Sequence, residues 1–216
     1  MTAINGQGIA AHYLPSRYHY WYARSKLAMD PLYAAARRAL SPDRAPLLDV
    51  GCGIGLLAMS MEPRADADYL GVDIDAEKIG IARSAAARAG LERVRFEVKD
   101  LAAGFPRHCG SVAILDVVQY LAPAARDRLL ASAAECVAPE GMLVMRVGLD
   151  DQSWRASITR IADKVGHLSR WMRTAPQGQP TRQGLTDVLA RHGLRCQFTS
   201  LSGRTPFNNW LVIGRR

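Results

Sequence analysis

The stretch Pro46-Leu47-Leu48-Asp49-Val50-Gly51-Cys52-Gly53-Ile54-Gly55 decides how the rest of this 216-residue chain is read. Its first half is a short apolar run closing on an acid, the pattern of a strand buried on both faces. Its second half places glycine at alternate positions, and Leu56–Met61 then reads as helix. A strand, a glycine turn and a helix in that order bring backbone N–H groups to a helix N-terminus, where a ligand can approach the main chain closely. A dinucleotide-binding turn, G-x-G-x-x-G, would require glycine at position 56, where Leu56 stands. Other α/β proteins use tight turns of this kind, so the flanking chain has to discriminate.

With 49% hydrophobic and 22% charged residues, the composition is that of a folded globular protein. The length suits one α/β domain with a small appendage. No apolar stretch approaches the roughly 20 residues that span a bilayer. The N-terminal Met1–Gly8 lacks a basic region followed by an apolar one, so the expected location is cytoplasmic. Cys52, Cys109, Cys136 and Cys196 form no C-x-x-C pair, which excludes the familiar zinc modules and suits reduced thiols. Cys52 lies inside the glycine turn, where a small packing residue is needed, so it is not read as a nucleophile. The net charge of +8 admits nucleic acid, an acidic substrate or carrier, or a solvated arginine-rich surface. Arginine is widely spread with no basic tail, which makes direct nucleic-acid binding the lesser reading.

Residues 1–45 precede the first strand. Five of the chain's 15 aromatics, Tyr13, Tyr18, Tyr20, Trp21 and Tyr22, cluster here with His12 and His19. Arg24 and Lys26 follow, and Pro31 opens a helix through Leu40. Such a segment either covers the ligand cleft as a lid or packs as core. The histidines and arginine favour the lid. From residue 46 onward, strands and helices alternate. Strand 68–73 ends on Asp73, and Ile74-Asp75 leads into a helix over 76–89 stopped by Gly90. Asp73 lies about 20 residues past the glycine turn, where one carboxylate can accept from both hydroxyls of a ribose. Strand 94–99 ends at Asp100-Leu101, and 102–110 reads as loop. Strand 112–116 ends at Asp116, at the carboxyl edge where open α/β sheets bind ligands. A helix over 124–138 and the turn Pro139-Glu140-Gly141 lead to strand 142–147. Arg146 inside that apolar run either snorkels outward or faces the cleft to hold an anionic substrate. Residues 153–165 suit an amphipathic helix, and 167–182 a loop or second lid part. Arg155, Arg160, Lys164, Arg170, Arg173 and Arg182 face only Asp163 in charge. A helix over 183–192 precedes two strands, 195–201 and 207–213, around the turn Ser202-Gly203-Arg204-Thr205-Pro206.

Asp49 with the Gly51-Cys52-Gly53-Ile54-Gly55 spacing resembles motif I of the class I S-adenosylmethionine-dependent methyltransferases. Asp73, Asp100-Leu101, Asp116-Val117-Val118-Gln119-Tyr120-Leu121 and the Pro139-x-Gly141 hinge resemble the motifs that follow in that family. The resemblance implies a Rossmann-like seven-stranded sheet with an antiparallel last strand, helices on both faces, and an N-terminal helical lid over 1–45. It further implies a cofactor-binding domain over 46–216, with 151–182 as an inserted lid. S-adenosylmethionine is the implied cofactor, and S-adenosylhomocysteine its product. Asp49, Gly51, Cys52 and Gly53 would wrap its methionine part, Asp73 would hold its ribose, Asp100 and Leu101 would read its adenine, and Ile74 would also contact it. Asp116 would also contact the cofactor, and Arg24 would fork onto the methionine carboxylate. His19, Tyr20 and Asp116, with His12 behind them, are the candidate proton acceptors. Gln119 replaces a histidine common at its position, which weakens base chemistry there. No metal is implied. The missing Asn/Asp-Pro-Pro-Tyr/Phe sequence argues against methylation of a planar base. Arg24-Ser25-Lys26-Leu27-Ala28-Met29-Asp30-Pro31 and Thr205-Pro206-Phe207-Asn208-Asn209-Trp210 resemble methyltransferases of bacterial aryl polyene or xanthomonadin-type pigment pathways. That likeness implies a small aromatic acceptor, free or on an acidic carrier protein. RNA methylation and a non-catalytic nucleoside-binding protein are the alternatives.

Overall fold

The computed structural model describes residues 4–41, 45–61, 67–150, 178–201 and 208–216. Three helices come first: α1 (Gly6–Ala11), α2 (Arg17–Met29) and α3 (Pro31–Leu40). Then follow β1 (Leu47–Val50), α4 (Leu56–Ser60), β2 (Tyr69–Asp73), α5 (Ala76–Arg88), β3 (Val94–Val98) and β4 (Ser111–Leu115). A 3-10 turn at Val118–Tyr120, α6 (Pro123–Glu135), β5 (Leu143–Gly148), α7 (Arg182–Arg191), β6 (Arg195–Ser200) and β7 (Asn209–Arg215) complete the described chain.

Local chemistry sets the helix ends. The Asp30 carboxylate accepts from Leu32 N–H at 3.0 Å, and Pro31, lacking an N–H, opens α3. Asp75 caps α5 through Glu77 N–H at 3.1 Å, and Gly90, with φ +67°, follows its C-terminus. The expected helix over 124–138 ends at Glu135, because Val137 leaves it to bridge Gly110.

Among the described residues the sheet has seven strands, in the order β3-β2-β1-β4-β5-β7-β6. β1 to β5 pair in parallel, and β7 runs antiparallel to both β5 and β6, as expected from the closing hairpin. Helices cover both faces. Leu48, Val50, Val112, Ile114 and Met145 pack on one face with residues of α6 and α7. Leu47, Tyr69, Phe96, Ala113 and Val144 pack on the other with α3, α4 and α5. Every residue of β1 and β5 is buried, which is why both read as apolar runs broken only by Asp49 and Arg146. Strand order reverses between β1 and β4, so their carboxyl ends, Val50-Gly51 and Leu115-Asp116, flank the crevice of an open α/β sheet. Of the helix expected over 153–165 and the lid expected over 151–182, residues 151–177, with Arg155, Arg160, Lys164, Arg170 and Arg173, lie outside the described residues, as does the turn 202–206.

Candidate active site

The glycine loop is tied to β2. Gly51 and Cys52 donate to the Val72 carbonyl at 2.8 and 3.1 Å, and Gly53 donates to Asp73 Oδ2 at 2.9 Å. These three N–H groups are therefore held by the protein and do not all face outward to a ligand, as the turn alone suggested. What remains open is space. A Cβ on Gly53 would meet no atom within 4 Å, whereas one on Gly51 would lie 2.3 Å from Val117 Cγ2. Gly51 is bare because Val117 leans on it, and Gly53 is bare facing open space.

Asp73 is half-buried and already accepts twice, from Gly53 N–H at Oδ2 and from Asp75 N–H at 2.9 Å on Oδ1. Each oxygen keeps a second lone pair, so the carboxylate can hold the loop and still receive a vicinal diol. Next to it Ile74 is 55% exposed, a poor solvent residue and a good apolar surface for a flat base. Asp100 is exposed and turns its carboxylate to Ala102 N–H at 2.9 Å, while Leu101 packs on the core.

Asp49 is not at the surface of this crevice. It is buried, and Oδ2 accepts a short hydrogen bond from the Tyr69 hydroxyl; Oδ1 has no partner among the described residues. Burial pushes its carboxyl up to about 7, assisted by the nearby Asp73 charge and opposed by the Tyr69 bond. Cys52 is buried on the same side, and burial pushes its thiol well above the usual range, which fits packing and not nucleophilicity.

The N-terminal helices are seated on the loop. Tyr13 is buried and its hydroxyl donates to the Ile54 carbonyl at 3.0 Å. Ala10, Tyr13, Ala23 and Leu27 form one apolar cluster with Ile54, Leu56, Met59 and Ala85. Arg88 Nε donates to the His12 carbonyl at 2.6 Å and pins the α1–α2 connection to α5. His19 and Tyr20 lie in the first turns of α2, His19 edge-on to Tyr18 with ring centroids 5.2 Å apart. Arg24 donates to the Tyr20 hydroxyl at 3.3 Å and stacks 5.1 Å above the Trp21 ring, with no carboxylate partner among the described residues. A guanidinium held this way is available to an anion.

Arg146 departs from both expectations. It neither snorkels outward nor waits for an anionic substrate: it is buried and saturated by two carboxylates. Nε donates to Asp116 Oδ1 at 2.5 Å, Nη2 bonds Asp116 Oδ2, and Nη1 meets the two Asp30 oxygens at 2.9 and 3.1 Å. Both Asp116 oxygens thus accept from Arg146, which ties the acid at the end of β4 to β5. Burial works to raise Asp30, but Arg146, Lys26 and the Leu32 N–H outweigh it and hold the carboxyl below its ordinary value. Gln119 is buried under the turn after β4 and offers no exposed group. Arg126 clamps that turn through the Val118 and Leu121 carbonyls at 3.1 and 3.2 Å and ties it to the Gly178 carbonyl at 2.7 Å. Sequence reasoning missed Tyr69 and Arg126, and quoted Asp30 and Val117 only within motifs, without the contacts that tie Asp30 to Arg146 and Val117 to Gly51.

A glycine loop clamped by the acid of β2, at the switch point of a sheet with this strand order, is an arrangement the chain shares with Rossmann-like methyltransferase folds. Residues 47–141 match the family model described as a methyltransferase domain. Among curated proteins, the chain is 28% identical over 159 residues to the tRNA1(Val) (adenine(37)-N6)-methyltransferase of Phocaeicola vulgatus, covering 63% of this chain and 65% of that one. It is 38% identical over 101 residues to the ubiquinone biosynthesis O-methyltransferase of Sinorhizobium medicae, covering 45% of this chain and 38% of that one. The matched stretches thus span less than two thirds of either relative. Magnesium protoporphyrin IX methyltransferase from Synechocystis, solved with bound S-adenosylhomocysteine, superposes with a TM-score of 0.66 at 18% identity, covering 91% of this chain and 88% of that one. An O-methyltransferase family protein from Burkholderia thailandensis gives 0.71 at 19% identity, over 100% of this chain and 64% of that one. At these identities the likeness is one of fold. Among the described residues no helix is long and apolar enough to cross a membrane.

Proposed function

We propose that the protein transfers a methyl group from S-adenosylmethionine to a small acceptor bearing an aromatic ring, free or held on an acidic carrier protein. The observation that carries the reading is the open space over Gly53, whose N–H is clamped by an acid with lone pairs to spare. The surrounding residues fit the cofactor part by part. Asp73 suits the ribose diol, Ile74 and Asp100-Leu101 the adenine, and Arg24 the amino-acid carboxylate. When bound, the cofactor supplies a methyl carbon activated by positive sulfur. The chain's own work is to hold the acceptor in line with that carbon and to exclude water, the positional part of catalysis. Where the acceptor is a phenol, its proton falls to His19, Tyr20 or Asp116, whose carboxylate keeps a second lone pair on each oxygen beside the Arg146 bonds. Exposed Tyr18 and Trp21 on α2 favour an aromatic acceptor, and the charge of +8 favours an acidic carrier.

RNA is the second reading, favoured by that same charge and by the likeness to a tRNA methyltransferase. Against it stands Val117-Val118-Gln119 after Asp116, where a Pro-Pro pair would line a slot for a planar base. Calorimetry with S-adenosylhomocysteine, followed by transfer of a labelled methyl to an extract of small molecules or to total RNA, separates the readings. Label in the small-molecule fraction is expected. Label in RNA alone would install the second reading, and binding without any transfer would leave a nucleoside-binding protein.

A further inference from the structure

We propose that Arg146 is a positioning residue: by holding Asp116 and Asp30 together it fixes the acceptor side of the crevice and ties the N-terminal helices to it. The proposal rests on the methyl-transfer reading above. Asp116 is the one described non-glycine residue with positive φ, at +61°. That left-handed turn, which L-residues adopt only when their surroundings impose it, is what sends Val117 back against Gly51 of the glycine loop. The restraint on Asp116 is visible, since Arg146 grips both of its oxygens from the adjacent strand β5. The third guanidinium nitrogen grips Asp30, which at once caps α3 and ends α2. Three segments remote in sequence therefore meet on one planar group, whose fork geometry a lysine cannot reproduce. Side-chain exposure gives the cluster a direction: Arg146 and Asp30 are 7% and 13% exposed, whereas Asp116 is 35% exposed. The buried pair is the support, and Asp116-Val117 is what it presents to the crevice. A shift of α2 pulls on Asp30, and Arg146 carries that pull to the acceptor edge.

Two variants test this. In Asp30→Asn the side-chain oxygen still caps α3, since asparagine is a good N-cap, but the ion pair is lost. In Arg146→Lys one ammonium cannot span both acids. Acceptor turnover, S-adenosylhomocysteine affinity and amide exchange over residues 17–32 are measured in each. Arg146→Lys is expected to lower kcat about tenfold or more while cofactor-product affinity stays within about threefold, the signature of lost positioning. Asp30→Asn is expected to move the same quantities less, and both to speed exchange over 17–32 relative to β1 and β4. Turnover unchanged in folded variants, or affinity falling in step with kcat, overturns the proposal. Should Arg146→Lys fail to fold, Asp30→Asn alone decides. A wild type that binds the cofactor product but transfers no methyl would sink the functional reading, and the exchange comparison would still judge the linkage: faster exchange over 17–32 upholds it, and unchanged exchange refutes it.

Discussion

Gly51 and Gly53 both have left-handed backbones, φ +71° and +55°, yet they fail differently on gaining a methyl group. At Gly51 the new Cβ would sit 2.3 Å from Val117 Cγ2, a collision between loop and strand end. Gly51→Ala is expected to lose roughly 2–4 kcal/mol in denaturant unfolding, from backbone strain plus overpacking. Adding Val117→Ala should restore the packing part and leave the strain. At Gly53 nothing is struck, so Gly53→Ala should cost only about 1–2 kcal/mol of stability, the price of a left-handed alanine. Its methyl would instead stand in the open space, and S-adenosylhomocysteine affinity measured by calorimetry should fall at least tenfold. Equal losses of stability and affinity in the two variants would refute this division. Asp49 makes a third case, governed by pH. Its folded pKa of about 7 exceeds the unfolded value near 3.8, so the folded state holds a proton that the unfolded state releases. The stability it contributes is complete below the unfolded value and is lost as pH rises through about 7. Comparing Asp49→Asn with wild type, the variant should gain relative stability between pH 5 and 8, by on the order of 3 kcal/mol, read from thermal unfolding at each pH. A constant difference across that range would show that the carboxyl stays ionised.

At the level of elements, the N-terminal helices were the hardest to read and their attachment is the easiest to test. Tyr13 lies in the connection between α1 and α2, and its hydroxyl is the polar contact from that connection to the glycine loop. Tyr13→Phe keeps the packing and removes the bond, leaving the Ile54 carbonyl unsatisfied, for about 1–2 kcal/mol. Proteolysis within residues 4–16 should quicken while the sheet stays protected; uniform protection would mean the bond contributes nothing to docking. Helix α3 was legible to the residue because its signal is local, an aspartate cap followed by proline. α2 was not, because its buried face consists of little more than Ala23 and Leu27, and its aromatics are spread around the helix. The glycine loop and the strand ends were legible because each is marked locally, by alternate glycines or by an acid closing an apolar run, and Asp73 because it falls at a fixed offset of about 20 residues from the turn. Arg146 stood out as misplaced in an apolar strand, but its partner Asp30 is 116 positions away, and no spacing rule spans that gap. The Asp49–Tyr69 pair was hidden for a related reason: an acid before a glycine turn suggests a ligand, and only the packed sheet shows a tyrosine from the neighbouring strand reaching it first.

For the whole molecule, the sheet has to end somewhere without inviting another chain, and β3 is one of its two edges. Tyr69 N–H bonds the Arg93 carbonyl and Lys99 N–H bonds the Asp73 carbonyl, so odd-numbered residues of this stretch face β2 and Phe96 turns its carbonyl outward. An unpaired carbonyl on an exposed edge is a template for pairing with a second chain. Arg83 of α5 closes it, with Nε and Nη2 donating to the Phe96 carbonyl at 2.9 and 2.7 Å. Exposed Arg95 and Glu97 add charge to the same edge. Net charge supplies a second, weaker defence, since molecules carrying +8 repel one another until salt screens them, within about 10 Å at 0.1 M. The two defences predict an ordering. Arg83→Ala should stay dispersed in dilute buffer and self-associate as salt is raised, followed by light scattering. Arg83→Lys, with a point charge in place of the fork, should fall between it and wild type. If association of Arg83→Ala instead weakened with salt, the contact would be electrostatic and the edge-capping role of Arg83 would be wrong.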